Sequence, residues 1–330
     1  MVSTMDSEEK LIERVRRRFP FYGPWLREGI GDDAAVLRPG SGVDWVVTTD
    51  AFLENVHFLR KIHPAESVGY KALARATSDI AAMGARPRCF FLTVGFPNAL
   101  SGRWLDGFLD GMARAARRFG LVLAGGDTTK YPSFIASLTV MGETRRGRAI
   151  LRSGARPGDL LCVSGTLGEA ELGLRLIQRR LQRRKRWTEL LKKQFHPEPR
   201  LALGKWLAAH RLASSMIDTS DGLSTDLGHL CEASGVGAVV QSARLPVVQI
   251  PKSLRGRGLD ARDLALNGGE DYELLFTVPR NLAARLPQRL GGLPITMIGE
   301  ITRQKKIHVL DESGKSSPLR PGGWDPFGKK

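Results

Sequence analysis

The sequence contains few cysteines. Cys89, Cys162 and Cys231 are the three cysteines in 330 residues, and they lie far apart. Because no Cys-x-x-Cys pair occurs, neither a structural zinc site nor a disulfide framework is expected. Each cysteine has apolar neighbours, and a free cysteine in such surroundings is usually a small buried residue. The cysteines therefore predict packing positions rather than chemistry.

Long hydrophobic runs are absent as well. Although 42% of the residues are hydrophobic, no uninterrupted apolar stretch approaches the ~18 residues that cross a bilayer as a helix. The first ten residues carry several charges and lack the apolar core of a signal peptide. We therefore expect a cytoplasmic, globular protein without a membrane partner.

The common nucleotide-binding loops are missing too. No Gly-x-x-x-x-Gly-Lys-Ser/Thr segment occurs, since Gly204-Lys205 is followed by Trp206. The loose glycine fingerprint that begins at Gly29 is followed closely by Pro39, which precludes the helix that a dinucleotide fold requires. No Ser-His-Asp or Cys-His arrangement stands out. The sequence thus favours neither a P-loop nor a dinucleotide-binding enzyme.

Acidic residues are outnumbered by basic ones, 34 against 50, which gives a formal net charge of +16. Such an excess attracts polyanions over long range, and these could be nucleotides or nucleic acid. A nucleic-acid-binding protein would also need aromatic platforms or a recognisable reading motif, and only the charge is present. We therefore do not expect nucleic acid as a partner, and a basic nucleic-acid-binding protein is the alternative from a different class. The main basic clusters are at 14–18, 145–148, 179–186 and 252–257.

One cluster, at 179–186, falls in a segment predicted to be a single helix over 172–191. Leucines and isoleucines of that segment would face the core, so most of the arginines would lie on the outer face. A solvated helix face is the favoured interpretation, and a binding patch is the alternative.

What the sequence does contain is a series of six short acidic segments. Several follow or precede apolar runs of β type, so their carboxylates should lie at strand ends. Ligands made only of oxygen suit Mg²⁺, and several such ions can hold a polyphosphate against a second anion. The set predicts phosphoryl transfer. The six segments are at 29–35, 48–50, 78–79, 125–129, 218–222 and 268–273.

Each segment also has an ordinary interpretation. Asp79 could be a surface charge near the end of a helix, and the segment at 218–222 could be a simple helix cap. The paired glycines before Asp127 are more specific, because they could offer backbone N–H groups to phosphate beside a carboxylate. His57 is the one histidine close to an acidic segment. Taken together, the six segments favour a shared site.

Alternating strand and helix signals predict two domains, 1–148 and 149–330. One helix should run from Pro64 to about Gly84, and a second should begin after a Ser101 cap and end at Gly120. An Arg/Gly-rich stretch near residue 148 marks the boundary. Strands are predicted at 43–48, 89–96, 121–124, 134–142, 159–164, 215–217, 238–241, 272–278, 295–300 and 306–310.

The ordered motifs resemble those of the thiamine-monophosphate kinase family, within the superfamily typified by aminoimidazole ribonucleotide synthetase. They run from residue 29 to 278, and a Gly-Trp pair near the end also fits. The resemblance implies a two-domain α/β (α+β) fold, ATP bound between the domains, and a homodimer paired through the N-terminal sheets. The motifs are Gly-Ile-Gly-Asp-Asp-Ala, Thr-Thr-Asp, Tyr-Lys-Ala-Leu-Ala with Ser-Asp-Ile-Ala-Ala-Met-Gly-Ala, Gly-Gly-Asp-Thr-Thr, Arg-Ser-Gly-Ala-Arg-Pro-Gly-Asp, Ile-Asp-Thr-Ser-Asp-Gly-Leu and Gly-Gly-Glu-Asp-Tyr-Glu-Leu.

The resemblance also implies an activity and roles for individual residues. ATP would phosphorylate thiamine phosphate to thiamine diphosphate by direct in-line transfer, assisted by several Mg²⁺ ions and without a protein general base. The implied metal ligands are Asp33, Thr48, Thr49, Asp50, Asp79, Asp127, Asp218 and Asp221. The implied nucleotide contacts are Gly126, Asp127, Arg152 and Ser220, and the implied substrate contacts are His57, Glu270 and Trp324.

Other ATP-using members of the superfamily are the nearest alternatives. Selenophosphate synthetases usually carry a reactive cysteine or selenocysteine near the N-terminus, whereas the first cysteine here is Cys89. Hydrogenase-maturation carbamoyl dehydratases need a C-terminal cysteine, whereas this chain ends Phe-Gly-Lys-Lys. Both are therefore disfavoured as expectations.

Overall fold

The computed structural model describes residues 13, 26–38, 40, 42–181, 187–254 and 258–327. The basic cluster at 14–18 and most of the cluster at 179–186 lie outside these residues. Two β-sheets with helices packed on them make up the described chain, which confirms the predicted α/β class. In the described part of the chain, no helix combines the length and the apolar character that crossing a membrane requires.

The N-terminal sheet has six strands in the order β1-β2-β3-β6-β4-β5. Helices α1 and α2 cover one face of it. The elements are β1 (Leu26–Glu28), β2 (Ala35–Leu37), β3 (Val43–Leu53), α1 (Ala65–Ala82), β4 (Arg86–Phe96), α2 (Arg103–Phe119), β5 (Val122–Lys130) and β6 (Ile135–Arg145).

Helix α1 is buried along almost its whole length. It crosses α2 at backbone contact, because a Cβ at Gly69 would lie 1.8 Å from the Phe108 carbonyl oxygen, and one at Gly111 would meet the Glu66 carbonyl oxygen equally closely. Only glycine allows such an approach. The tight crossing holds α1 against the sheet, with Asp79 near its carboxyl end.

The second sheet follows the order β14-β13-β9-β12-β7-β10-β8, and β11 pairs with β12. Its central strands β7 and β10 are almost fully buried. The elements are β7 (Leu160–Ser164), α3 (Glu169–Gln178), α4 (Thr188–Phe195), α5 (Leu201–His210), β8 (Ser215–Asp218), α6 (Leu223–Ser234), β9 (Gly237–Gln241), α7 (Ala261–Asn267), β10 (Leu274–Val278), β11 (Arg289–Leu290), β12 (Leu293–Thr302), β13 (Ile307–Leu310) and β14 (Ser316–Pro318).

The two halves share a core where α1 meets α5. Ala81 and Ala82 pack with Leu203, Leu207 and Phe276, and the Ala81 carbonyl oxygen would lie 2.0 Å from a Cβ at Gly204. The first sheet ends at Arg145 and the second begins at Leu160. The boundary near residue 148 stays a prediction.

The single helix predicted over 172–191 is wrong. Helix α3 ends at Gln178, and Arg180 has a left-handed φ of +57°. A non-glycine residue in that region interrupts the helical path. Helix α4 then begins at Thr188. Residues 182–186 lie outside the described chain.

Three local predictions also need correction. Residues 48–50 do not end a strand but lie inside β3, and residues 125–129 do not form a turn but continue β5. Both segments stay extended because neighbouring strands pair along them. Ser101 is not the cap of α2. Gly102 occupies the N-cap, and the Ser101 hydroxyl donates to the Asn98 carbonyl oxygen over 2.7 Å. The predicted stop at Gly120 is confirmed by its left-handed φ.

Candidate active site

Three carboxylates from distant parts of the sequence meet between the two sheets. One oxygen each from Asp33, Asp79 and Asp218 lies within 4.8 Å of the other two. Asp33 precedes β2, Asp79 lies in the last turn of α1, and Asp218 ends β8. We call these three residues the acidic cluster. Asp79 also accepts a hydrogen bond of 2.6 Å from the Thr48 hydroxyl, so it is not the free surface charge that its sequence position suggested.

The acidic cluster has unsatisfied oxygen atoms. Asp33 Oδ2 and Asp218 Oδ2 are buried and have no hydrogen-bond partner among the described residues. Buried polar atoms normally have partners, so each such atom calls for an explanation. Oxygen ligands at this spacing fit a divalent cation such as Mg²⁺. The residues present therefore fit a metal.

The electrostatics of the acidic cluster agree with that fit. Burial and then the charge of Asp33 raise the pKa of Asp218 to about 7. Burial, followed by Asp218, Asp50 and Asp33, raises the pKa of Asp79 well above its usual range. Like charges so close together cannot all ionise cheaply without a cation. The acidic cluster is thus short of positive charge.

Arg152 supplies one positive charge at the edge of the cluster. Its guanidinium donates to Asp33 Oδ1 over 2.6 Å, and its backbone N–H donates to Asp32 Oδ2 over 3.0 Å. Asp32 Oδ1 accepts a second backbone hydrogen bond, from Asp33. Burial and the Asp33 charge raise the pKa of Asp32 to about 7. Asp32 therefore braces the backbone while Asp33 faces the cluster.

Strand β3 divides its polar residues between two faces. Thr48 and Asp50 point toward α1, as the period of two requires. Asp50 accepts from Arg75 Nε over 2.7 Å, and its charge acts on Asp79. Thr49 lies on the opposite, open face, where its hydroxyl is 3.2 Å from that of Thr139. The structure therefore brings Thr48 and Asp50 to the cluster and leaves the Thr49 side chain apart from it.

Two loops of the second sheet close the other side of the site. The backbone N–H of Glu270 donates to the Ser220 carbonyl oxygen over 2.8 Å, and that of Tyr272 donates to the Thr219 carbonyl oxygen over 2.9 Å. Glu270 and Tyr272 both have left-handed φ values, +68° and +50°. Such strained residues persist only where their surroundings hold them, and they concentrate at functional sites.

The C-terminal segment joins the same loop. The Trp324 backbone N–H donates to the Asp221 carbonyl oxygen over 2.9 Å, while the Trp324 side chain is 40% exposed. Asp221 acts electrostatically on Asp218 and on the buried Asp226. Ser220, Asp221 and Trp324 thus lie next to the acidic cluster.

His57 is held in the loop that follows β3. Its Nδ1 accepts from the Leu53 backbone N–H over 3.0 Å, and its ring stacks on Phe52. Burial, then the charges of Arg75 and Lys71, lowers the pKa of His57 to about 3. With Nδ1 occupied as an acceptor, the neutral ring carries its proton on Nε2.

Glu270 is joined to the same neighbourhood. Lys71 Nζ donates to Glu270 Oε2 over 2.8 Å, and Lys71 also acts on His57. Two of the three residues predicted to contact the substrate, His57 and Glu270, therefore have Lys71 as a common electrostatic neighbour, although most of the chain separates them in sequence.

Asp127 and Gly126 lie away from the acidic cluster and from the residues around it. They lie on the exposed edge strand β5, and Asp127 is in register with Thr93 on the open face of the sheet. Three strand spacings of about 4.8 Å separate β5 from β3. Gly126 has a packing reason, since a Cβ there would lie 1.9 Å from the Leu92 carbonyl oxygen.

Sequence reasoning missed the cations that organise the site. Lys71, Arg75 and Lys193 pair with carboxylates far away in the sequence. Lys71 and Arg75 lie on α1, two turns and one turn before Asp79 respectively, and that helical spacing was the one available signal. Asp271 was missed as well. It accepts from the backbone N–H groups of Gly168 and Ala170 at the start of α3.

Comparison with family models and with known proteins identifies the relatives of this chain. Residues 31–144 match the family model for the AIR synthase related protein, N-terminal domain, and residues 156–312 match the C-terminal domain. The thiamine-monophosphate kinase of Escherichia coli (strain K12) is 40% identical over 303 residues, which is 91% of this chain and 91% of that protein.

Two solved structures superpose over nearly the whole chain. AaThiL complexed with AMPPCP and TMP has a TM-score of 0.86 at 31% identity, and the match covers 98% of this chain and 100% of that one. Thiamine-monophosphate kinase from Stenotrophomonas maltophilia K279a has a TM-score of 0.76 at 39% identity, with 94% and 98% covered. The chain belongs to the thiamine-monophosphate kinase family of AIR synthase related proteins.

Proposed function

We propose that this chain is an ATP-dependent thiamine-phosphate kinase, a phosphotransferase with a phosphate group as acceptor. It transfers the γ-phosphoryl group of ATP to thiamine phosphate and releases thiamine diphosphate. The observation that carries the proposal is the acidic cluster, in which Asp33, Asp79 and Asp218 meet and two buried oxygens have no hydrogen-bond partner among the described residues. A relative solved with AMPPCP and TMP supports the choice of substrates.

The chemistry requires charge neutralisation more than proton transfer. A phosphate monoester has a second pKa near 6, so the acceptor is largely dianionic at neutral pH. Two like charges 4 Å apart cost about 4 kcal/mol at an effective dielectric constant of about 20. The acceptor oxygen needs no general base, and His57 is held neutral with its pKa near 3. His57 would therefore contact the substrate rather than remove a proton.

The chain's own residues would bind the metals and the nucleotide. Mg²⁺ ions held by the acidic cluster would neutralise phosphate charge and align acceptor and γ-phosphoryl group in line. Arg152 and Ser220 lie beside the cluster and would contact the nucleotide. The proposed metal ligands that adjoin the cluster are Thr48, Asp50 and Asp221.

Substrate contacts would come from the opposite side of the site. Lys71 pairs with Glu270 and acts electrostatically on His57. The exposed indole of Trp324 is suited to packing on an aromatic ring of thiamine, and its backbone is anchored to the Asp221 loop.

Asp127 and Gly126 would act across a homodimer. Strand β5 is an exposed edge that carries Val122, 67% exposed, and Phe91 beside it on β4 is 40% exposed. Exposed apolar edges mark interaction sites. At the other side of the sheet, β2 covers β3 only from Trp45 to Val47. Pairing of two subunits through these edges would bring Asp127 of one toward Thr49 of the other.

The decisive experiment is product analysis with ATP, Mg²⁺ and thiamine phosphate. The proposal expects thiamine diphosphate and ADP in equal amounts, with activity lost on chelation of divalent cations. ATP hydrolysis without thiamine diphosphate would contradict it. Incubation with γ-labelled ATP alone should leave no labelled protein, because transfer is direct, and a trapped phosphoenzyme would refute that step. A monomer by sedimentation at micromolar concentration would count against the dimer.

A further inference from the structure

Lys71 is a buried lysine in the middle of α1. Its side chain is 1% exposed, and lysines are almost never fully buried unless they are paired. Its ammonium group donates to Glu270 Oε2 over 2.8 Å and to Gln194 Oε1 over 3.1 Å. Both contacts span more than 120 residues of sequence. Lys71 therefore joins the first half of the chain to the loop that carries Glu270.

Gln194, in the last turn of α4, completes a triangle. Its amide Nε2 donates to Glu270 Oε2 over 3.0 Å, while its Oε1 accepts from Lys71. This orientation of the amide satisfies both neighbours, since the reverse would set a donor against the ammonium group. Gln194 itself is 1% exposed. Lys71 and Gln194 are thus shielded from water, and each of them bonds both other members of the triangle.

Lys71 Nζ and Gln194 Nε2 both donate to the same oxygen of Glu270, Oε2. Oε1 of Glu270 accepts no hydrogen bond from any described residue, and 24% of the side chain remains exposed. A carboxylate has about four acceptor sites, so Oε1 of Glu270 can still accept hydrogen bonds from a ligand. The triangle therefore sets the direction in which the remaining oxygen points.

The Glu270 backbone needs such support. Its φ of +68° is a conformation that costs a residue with a side chain free energy. One backbone hydrogen bond to Ser220 holds the loop from one side, and the triangle holds the carboxylate from the other. Loss of the triangle would leave the side chain free to rotate in its strained loop.

We infer that Lys71 and Gln194 are positioning residues that lock Glu270 so that Oε1 accepts a hydrogen bond from the organic part of the acceptor substrate. This inference rests on the proposed function and adds to it. It assigns recognition of the acceptor to α4, a helix outside the acidic segments. The ligand class is a cationic or N–H-donating heterocycle, which thiamine phosphate contains.

The experiment compares Gln194→Met with the wild-type enzyme in steady-state kinetics. Methionine keeps the length of the side chain but removes both hydrogen bonds. The KM for thiamine phosphate should rise about tenfold, the usual size of a lost hydrogen bond to a charged group, while the KM for ATP and kcat stay near wild type. Lys192→Met, at an exposed position on the same helix, is the matched control and should change none of these constants.

A double-mutant cycle separates positioning from a general structural role. In a Glu270→Gln background the effect of Gln194→Met on the KM for thiamine phosphate should largely vanish, because both act through one carboxylate. Lys71→Met should behave like Gln194→Met, and Gln194→Glu should not rescue because it sets two carboxylates together. Equal losses for both substrates, with a lower Tm, would overturn the inference, as would an unchanged KM.

The two proposals fail in different ways. If the wild-type enzyme forms thiamine diphosphate but Gln194→Met leaves the KM for thiamine phosphate unchanged, only the positioning role falls. If the wild-type enzyme does not phosphorylate thiamine phosphate, both the proposed function and the positioning role are refuted.

Discussion

The molecule contains two buried groups of carboxylates that differ in their partners. Glu273 is fully buried, yet it accepts from Lys193, from Arg200 and from the Ser164 hydroxyl. Burial alone would raise its pKa, but the two cations lower it below the usual range. The acidic cluster is equally enclosed but has Arg152 as its neighbouring cation, at Asp33.

The comparison separates structure from function. The Glu273 group is balanced within the chain, so it can fix β10 against β7 and α4 without a ligand. The acidic cluster is not balanced, and the pKa values of Asp79 and Asp218 rise instead. Burial is common to both groups. What marks the functional one is the missing positive charge, which a divalent cation would supply.

The largest effect is expected for Asp218→Asn. The substitution removes a proposed metal ligand, and the rate of thiamine diphosphate formation should fall at least about a thousandfold, or about 4 kcal/mol of transition-state stabilisation. The unfolding free energy measured without divalent cations should stay equal or rise, because one of several repelling charges is gone. Asp110→Asn, exposed on α2, is the control. Activity near wild type in Asp218→Asn would contradict the metal site.

The opposite outcome is expected for Glu273→Gln. This change leaves Lys193 and Arg200 buried without their shared carboxylate, and breaking such a buried pair typically costs about 3–5 kcal/mol. Denaturant unfolding should show that loss of stability. A loss below about 1 kcal/mol, comparable to an exposed ion pair, would show that the two groups do not differ as described.

A third prediction concerns pH in the absence of divalent cations. The pKa values of Asp218 and Asp32 are raised to about 7 in the folded protein, against about 3.9 in an unfolded chain. Between these values the folded state binds more protons, so stability should rise as the pH falls from about 7 toward 4. Metal binding displaces those protons, so Mg²⁺ affinity should weaken as the pH falls below about 7.

Thermal unfolding at several pH values, with EDTA or with saturating Mg²⁺, measures both parts of that prediction. The stabilisation by Mg²⁺ should be larger at pH 8 than at pH 6, and about 2.7 kcal/mol at a hundredfold excess over Kd. Stabilisation that is independent of pH would show that the carboxylates bind no metal.

The smallest effect is expected for Asp32→Asn. This variant compares a carboxylate whose partners lie within the chain with the proposed metal ligands beside it. Asp32 accepts two backbone hydrogen bonds and does not face the acidic cluster, so its loss should act through the orientation of Asp33. Activity should fall about tenfold, as is usual for residues that support metal ligands. A loss as large as that of Asp218→Asn would place Asp32 among the ligands.

Much of the fold could be predicted from local patterns. The apolar spacing identified α1 and α2, and Gly120 marked the end of α2. Six strands of the second sheet were found within a few residues, whereas the short strands β11 and β14 were missed. Predictions failed where tertiary pairing overrode local signals. Residues 48–50 and 125–129 look like turns, but pairing with β6 and β4 keeps them extended.

The candidate site was predicted less completely. The repetition of short acidic segments predicted a shared site for their carboxylates, and the order of the motifs indicated the family. The triangle of Lys71, Gln194 and Glu270 could not be seen, because nothing in a sequence pairs positions 71, 194 and 270. The position of Asp127 on the open face was also hidden, since it depends on which strands are neighbours.

The central claim is that Asp33, Asp79 and Asp218 together hold a divalent cation for phosphoryl transfer. Titration with Mn²⁺, followed by electron paramagnetic resonance with a non-hydrolysable ATP analogue present, tests it most directly in the wild type and in Asp218→Asn. We predict that the wild type binds Mn²⁺ at sites that Asp218→Asn loses or binds far more weakly. Equal stoichiometry and affinity in the two proteins would contradict the account.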